Sequence, residues 1–120
     1  MKLVIGAAGG TKITTATAQA IVNNQFLGNN LKEAIDRRRV HHQLMPMEVS
    51  YEKDLDQVRT ESPSNHWTFM YQEIVAGLSE RGHKAVLMNA FGSVVVGVQK
   101  EEERITANSD FRKSGAVAGF

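Results

Sequence analysis

The stretch KLVIGAAGGTKITTATAQAI, Lys2 to Ile21, joins a strand-like run to a helix-like run across two adjacent glycines. Lys2 to Ile5 reads as a short strand ended by Gly6, and the Gly9–Gly10 pair breaks the chain sharply. From there Ile13, Ala16, Ala20 and Ile21, with Thr17 between them, fall on one face of a helix. That helix is expected to end near Phe26, with Thr11 or Thr14 as its cap. A Gly-Gly turn of this kind is most often only a turn. The alternative is chemical: two bare glycines let backbone N–H groups approach a ligand, and the helix start adds partial positive charge. Such a turn suits an oxyanion or a carboxylate. It is not a P-loop, since no GK[ST] closes it and Lys12 follows Thr11. Nor does its spacing fit a dinucleotide fingerprint.

Asn30 is placed to cap a second, short helix, with Glu33 at the capping-box position and Leu31, Ala34 and Ile35 on its apolar side. Pro46 stops any regular run, and MEVSYE reads as a brief strand. KDLDQVRTESPSNH reads as loop, with a helical turn around Leu55 and Val58. Tyr71, Ile74, Val75 and Leu78 mark a helix from about Trp67 to Arg81, stopped by Gly82. KAVLM and SVVVGVQ are strand-like, and the consecutive Val94, Val95 and Val96 predict a strand covered on both faces. Lys100 to Arg104 is an exposed connection, ITANSD returns as the partner strand, and the Gly- and Ala-rich tail is irregular. Helices on a largely antiparallel sheet, an α+β fold, accommodate this order. The 120 residues, 42% of them hydrophobic, are enough for a single domain over 1–120.

Charge is balanced, 14 Lys and Arg against 13 Asp and Glu, so nothing in it calls for nucleic acid or an anionic membrane. No apolar run is long enough to span a bilayer, and glycines interrupt the opening MKLVIGAAGG too early for a signal peptide. Without cysteine there are no disulfides, thiol nucleophiles or zinc–thiolate sites. His41 and His42 follow Arg37, Arg38 and Arg39, while His66 and His83 lie far off in sequence. This pattern supports a zinc site weakly and packing histidines better. The arginines read as a solvated face or as internal ion pairs. Trp67 and Phe69 read as core, lacking the basic interleaving of a stacking platform. Asp110, beside Ser109, Arg112 and Lys113, can anchor a loop through Asp–Arg pairing. No G-x-S-x-G elbow marks a serine nucleophile.

Four pieces in order resemble one family. VIGAAGGTKITTATAQAI, NNLKEAIDRRRVHHQLMP, LSERGHKA and ANSDFRKSGAVAGF are similar to the C-terminal part of the small (light) subunit of gamma-glutamyltransferase, also called glutathione hydrolase. The resemblance implies part of the four-layer αββα fold of the N-terminal-nucleophile hydrolases. It implies an enzyme whose self-cleaved precursor exposes an N-terminal threonine. That threonine attacks the gamma-glutamyl amide of glutathione, and the acyl group passes to water or to an amino acid or peptide acceptor. Gly9 and Gly10 match the glycine pair that contributes to the oxyanion hole and meets the substrate. Thr11, Arg39, His41, Gln43, Ser109, Asp110, Arg112 and Gly115 match positions of structural support. The implied partners are a large subunit, or self-association in its absence, and glutathione or other gamma-glutamyl compounds. No cofactor, metal or nucleic acid is implied. The implied location is extracellular, periplasmic or the outer face of the plasma membrane.

Several family features have no counterpart in these residues. The catalytic threonine lies well before the glycine pair, whereas five residues precede Gly6 here. The donor-binding serine pair and the whole large subunit are also missing. Arg38 stands where the family often has proline, and Phe120 where it often has tyrosine. The isolated chain is therefore expected to be inactive. The competing expectation is a non-catalytic, light-chain-like structural or binding module.

Overall fold

A computed structural model describes residues 2–53, 66–90 and 92–119, with side chains from residue 73 onward in the second range. In chain order the elements are β1 (Lys2–Ala8), α1 (Ile13–Gln25), α2 (Leu31–Asp36), β2 (Val40–His41), β3 (Glu48–Tyr51), α3 (His66–Glu80), β4 (Lys84–Leu87), β5 (Val94–Glu101) and β6 (Arg104–Ser109). Short 3-10 turns occupy Gly10–Lys12 and Phe111–Lys113. Contacts group the chain into two compact units, Met1–Arg37 with Phe91–Phe120, and Arg38–Ala90. Among the described residues no helix is long and apolar enough to cross a membrane.

The first unit is an antiparallel sheet in the order β1-β5-β6, with α1 and α2 against one face. Leu3, Ile5 and Ala7 of β1 pack on a buried cluster of Ala16, Ala20, Leu31, Ile35 and Val95. The small Ala16 and Ala20 let α1 lie close to the sheet. Gly97 does the same for α2, since a Cβ there would meet Leu31 Cδ1 at 3.1 Å. The anticipated capping box forms: Asn30 Oδ1 accepts the Glu33 N–H at 2.9 Å and Glu33 Oε2 accepts the Asn30 N–H at 3.0 Å. With its start fixed, this six-residue helix buries Leu31, Ala34 and Ile35, the apolar side expected. Asn24, buried on α1, donates through Nδ2 to Gln99 Oε1 and to the Asn29 carbonyl, both at 3.0 Å, so its amide is satisfied inside.

The deepest polar feature is an ion pair. Asp110 Oδ1 and Arg112 Nη1 are 2.9 Å apart, and both side chains are fully buried. Asp110 Oδ2 accepts the Val95 N–H at 2.8 Å, and Oδ1 also accepts the Arg112 N–H at 3.1 Å. The guanidinium donates to the Ile35 carbonyl at 3.3 Å and to the Arg37 carbonyl at 2.9 Å. The pair thus ties the C-terminal end of α2 to β5 and to the turn after β6, and the cation meets the negative end of the helix.

The second unit carries the sheet β2-β3-β4 and α3. β2 pairs antiparallel with β3, and β4 pairs parallel with β3. A parallel pair needs a crossover, and α3 lies in that connection. Among the described residues, three of the four strand pairings are antiparallel, in keeping with the α+β expectation. The α3 helix, the Gly82 stop and the MEVSYE strand occur as read from sequence, whereas the exposed Lys100–Arg104 run is mostly strand: Lys100 and Glu101 end β5, Arg104 opens β6, and Glu102 and Glu103 alone make the turn. The loop and helical turn assigned to KDLDQVRTESPSNH lie mostly outside the described residues, as do the side chains of Trp67 and Phe69.

Three further expectations are corrected. Gly6 does not end β1: it pairs with Val96, and the ladder continues to Ala8 opposite Val94. No threonine caps α1. The 3-10 turn feeds straight into the helix, Ile13 N–H bonds the Gly10 carbonyl, and the Lys12 cap position makes no side-chain bond. Finally, β5 alternates instead of being covered on both faces: Val95 is 0% exposed, but Val96 is 50% and Val98 45%. Period-two geometry sends Val96 and Val98 to the side away from the helices, together with Val4 and Ile105.

Replacing Asp110 by Ala strands a buried guanidinium. The expected loss of stability is about 3–5 kcal/mol, read from the denaturant midpoint of the chain. A loss below about 1 kcal/mol, the scale of a surface pair, would contradict the account of this network.

Candidate functional site

The strand-to-helix turn departs from the β1–β5 ladder one residue after its last pair, Ala8 with Val94. Gly9 has φ 138° and ψ 35°, and Gly10 has φ 67°. The two glycines are required for different reasons. A Cβ on Gly9 would lie 2.7 Å from both the Gly92 carbonyl oxygen and Ser93 Cα, so the backbone just ahead of β5 excludes a side chain there. A Cβ on Gly10 would meet nothing within 4 Å, so its requirement is conformational and its outer side is open. Both glycines are exposed, and Thr11 is exposed beside them in the 3-10 turn.

Two side-chain hydrogen bonds hold carbonyls on either side of the turn. Ser93 Oγ donates to the Ala8 carbonyl at 2.7 Å, and Thr15 Oγ1 donates to the Lys12 carbonyl at 3.2 Å. Among the described residues, no loop or turn backbone bond uses the Gly9 or Gly10 N–H as donor. Amides at a helix start have no intrahelical acceptor and, where exposed, are left to solvent or a ligand; here two adjacent donors lie at the mouth of a helix that starts within three residues, an arrangement that can take an anionic oxygen.

The other residues singled out from the sequence lie elsewhere and serve packing. Arg39 is buried, its N–H donates to Glu52 Oε2 at 3.0 Å, and its carbonyl accepts the Glu52 N–H at 3.1 Å. His41 is buried, with Nε2 2.9 Å from Gln43 Oε1, and Gln43 Nε2 in turn donates to the Met45 carbonyl at 3.1 Å. His41, Gln43 and Met45 thus form a local chain of bonds in the connection between β2 and β3, and Arg39 bonds separately to Glu52 just after β3. Ser109 ends β6, and its Oγ would be 2.4 Å from a Cβ on Gly115, so the tail crosses the strand end at a glycine. Asp110 and Arg112 form the buried pair described above, as their sequence neighbourhood suggested.

His42 and His83, distant in sequence, meet edge to face with ring centroids 5.5 Å apart, and His42 Nδ1 accepts the Leu44 N–H at 3.1 Å. Among the described residues no group of three His, Asp or Glu gathers as a metal site would require. Three contributors were missed from sequence. Ser93 and Gly92 clasp the turn, and the only signal was a Gly-Ser dipeptide just ahead of a valine-rich strand. Glu52 answers Arg39 across a two-residue strand too short to leave a pattern.

Comparison with known proteins identifies a family and a shared fold. A family model, gamma-glutamyltranspeptidase, matches residues 1–120. Scoloptoxin SSD20 from Scolopendra dehaani is 40% identical over 119 residues, covering 98% of this chain and 53% of that protein. The human glutathione hydrolase 5 proenzyme is 36% identical over 119 residues, covering 99% of this chain and 18% of that protein. The chain therefore spans about half the length of one curated relative and under a fifth of the other. An acivicin-inhibited gamma-glutamyltranspeptidase superposes with a TM-score of 0.71 at 25% identity, covering 94% of this chain and 54% of that one. The transpeptidase CapD of Bacillus anthracis shares the fold, with a TM-score of 0.71 at 18% identity over 98% of this chain and 63% of that one. The match of the family model over residues 1–120, with relatives at 40% and 36% identity, places the chain in the gamma-glutamyltranspeptidase family.

Proposed function

We propose that this chain is part of an enzyme that cleaves the gamma-glutamyl amide of glutathione and passes the glutamyl group to water or to an amino acid or peptide acceptor. Its contribution is the oxyanion hole, made from the N–H groups of Gly9 and Gly10. The supporting observation is the turn itself: Gly10 at φ 67° opens outward, and neither glycine amide is taken by a loop or turn backbone bond among the described residues. In this reading a threonine hydroxyl adds to the gamma-carbonyl carbon, and the carbonyl electron pair moves onto oxygen. The two N–H donors hold that oxygen while the C–N bond breaks and the amine leaves with a proton. Water or an acceptor amine then adds to the ester and releases the threonine. None of Thr11, Thr14, Thr15 or Thr17 is given the nucleophile's role.

The same reading gives the outer sheet face a neighbour. Val4 (73% exposed), Val96, Val98 and Ile105 (68% exposed) share that face by register. Large-subunit chain, or further strands of the small subunit, would cover it. The implied setting outside the cytoplasm belongs to this proposal as well.

Three outcomes test it. In a complete enzyme carrying this segment, Gly10→Ala is expected to lower kcat per folded active site roughly a hundredfold, about 3 kcal/mol in the transition state. An unchanged kcat with a lowered melting temperature would return Gly10 to a purely architectural role. The 120 residues alone are expected to show no turnover of a gamma-glutamyl anilide above a buffer blank; activity that survives repurification would refute this. Light scattering of the same chain should reveal concentration-dependent association that Val96→Ser with Val98→Ser suppresses. A strictly monomeric parent chain would count against the uncovered face.

A further inference from the structure

We propose that Ser93 is a positioning residue that aims the Gly9 N–H. This rests on the reading of the Gly9–Gly10 turn as an oxyanion hole and adds the device that orients it. The Ala8 carbonyl and the Gly9 N–H belong to one planar trans peptide and point in opposite directions. Fixing one fixes the other. Ser93, buried at 5% exposure, donates its hydroxyl to the Ala8 oxygen at 2.7 Å. The Gly9 N–H is thereby turned away from the 92–94 segment.

The surrounding geometry makes this hydroxyl the natural control point. Ala8 is the last residue of β1 in the ladder, opposite Val94. One step further Gly9 leaves the β region, at φ 138° and ψ 35°, so the Ala8–Gly9 peptide is the last one the ladder holds and the Ser93 hydroxyl adds a second hold on its carbonyl. The approach is also tight. A Cβ on Gly9 would lie 2.7 Å from the Gly92 oxygen and 3.0 Å from Ser93 Cβ, which leaves room for a glycine only. The 92–93 segment thus holds the turn in two ways, by excluding a side chain at Gly9 and by bonding the preceding carbonyl.

The orientation can be read directly. In the full 120-residue chain, weakly aligned and labelled with nitrogen-15, the residual dipolar coupling of the Gly9 N–H reports the direction of that bond. Ser93→Ala is expected to change the Gly9 coupling while couplings in α2 and β6 hold, and Ser93→Thr, which keeps the hydroxyl, to restore it. Should Ser93→Ala fail to fold, the same coupling is read in Ser93→Cys, whose thiol is a longer and weaker donor. An unchanged Gly9 coupling overturns the proposal. In a complete enzyme carrying this segment, Ser93→Ala is expected to lower kcat about tenfold with KM held within about twofold, and Ser93→Thr to recover most of the loss. A Gly10→Ala variant that loses kcat beside a Ser93→Ala variant that does not removes Ser93 alone. If neither variant loses kcat, the reading of the turn itself fails.

Discussion

The buried pair of Asp110 and Arg112 is the interaction on which the first unit depends. A carboxylate and a guanidinium without exposure are costly to desolvate, and they persist only when their bonding capacity is met. Here it is met by backbone from three directions: the Val95 N–H, the Arg112 N–H, and the carbonyls of Ile35 and Arg37. The result is a fixed relation between the end of α2, the start of β5 and the turn after β6. Arg112 also lies 4.5 Å over the Phe111 ring, which shields one side of the cation. Because β5 is the central strand, fixing its beginning also fixes the segment just before it, Gly92 and Ser93.

That segment is where fold and proposed chemistry meet. The same strand start is bonded to Asp110 at Val95 and to β1 through Ser93. In the proposed reading, a glycine turn held by two such anchors would be preorganised, its donors not needing to reorient as charge develops. The opposite face of the sheet is finished differently. It is apolar and exposed among the described residues, and in a family whose relatives are far longer than this stretch, such a face is consistent with further chain packing on it.

Local signals carried much of this into the sequence. The Asn30–Glu33 capping box, the three-residue apolar side of α2 and the hairpin around the charged Lys100–Arg104 run are set by neighbouring residues, and each was legible. The Gly-Gly break was legible as well, and the resemblance attached a chemistry to it. Features set by residues distant in sequence were not. The alternation of β5 depends on which face α1 and α2 cover, which a run of valines does not disclose. The clasp of Ser93 on Ala8 spans 85 residues, and the bond between Arg39 and Glu52 depends on a two-residue strand. Thr11 and Thr14 are good capping residues by type, but the 3-10 turn made a side-chain cap unnecessary. Composition could not have foreseen that.

The central claim is that the Gly9 and Gly10 amides receive an oxyanion. The most direct test is a crystal structure of an enzyme containing this segment, with a tetrahedral oxyanion mimic bound covalently to its nucleophile. The account predicts both glycine nitrogens about 2.7–3.1 Å from the mimic's charged oxygen, the range expected of oxyanion donors. An oxygen held by other donors, with both glycine amides turned away from it, would contradict the account.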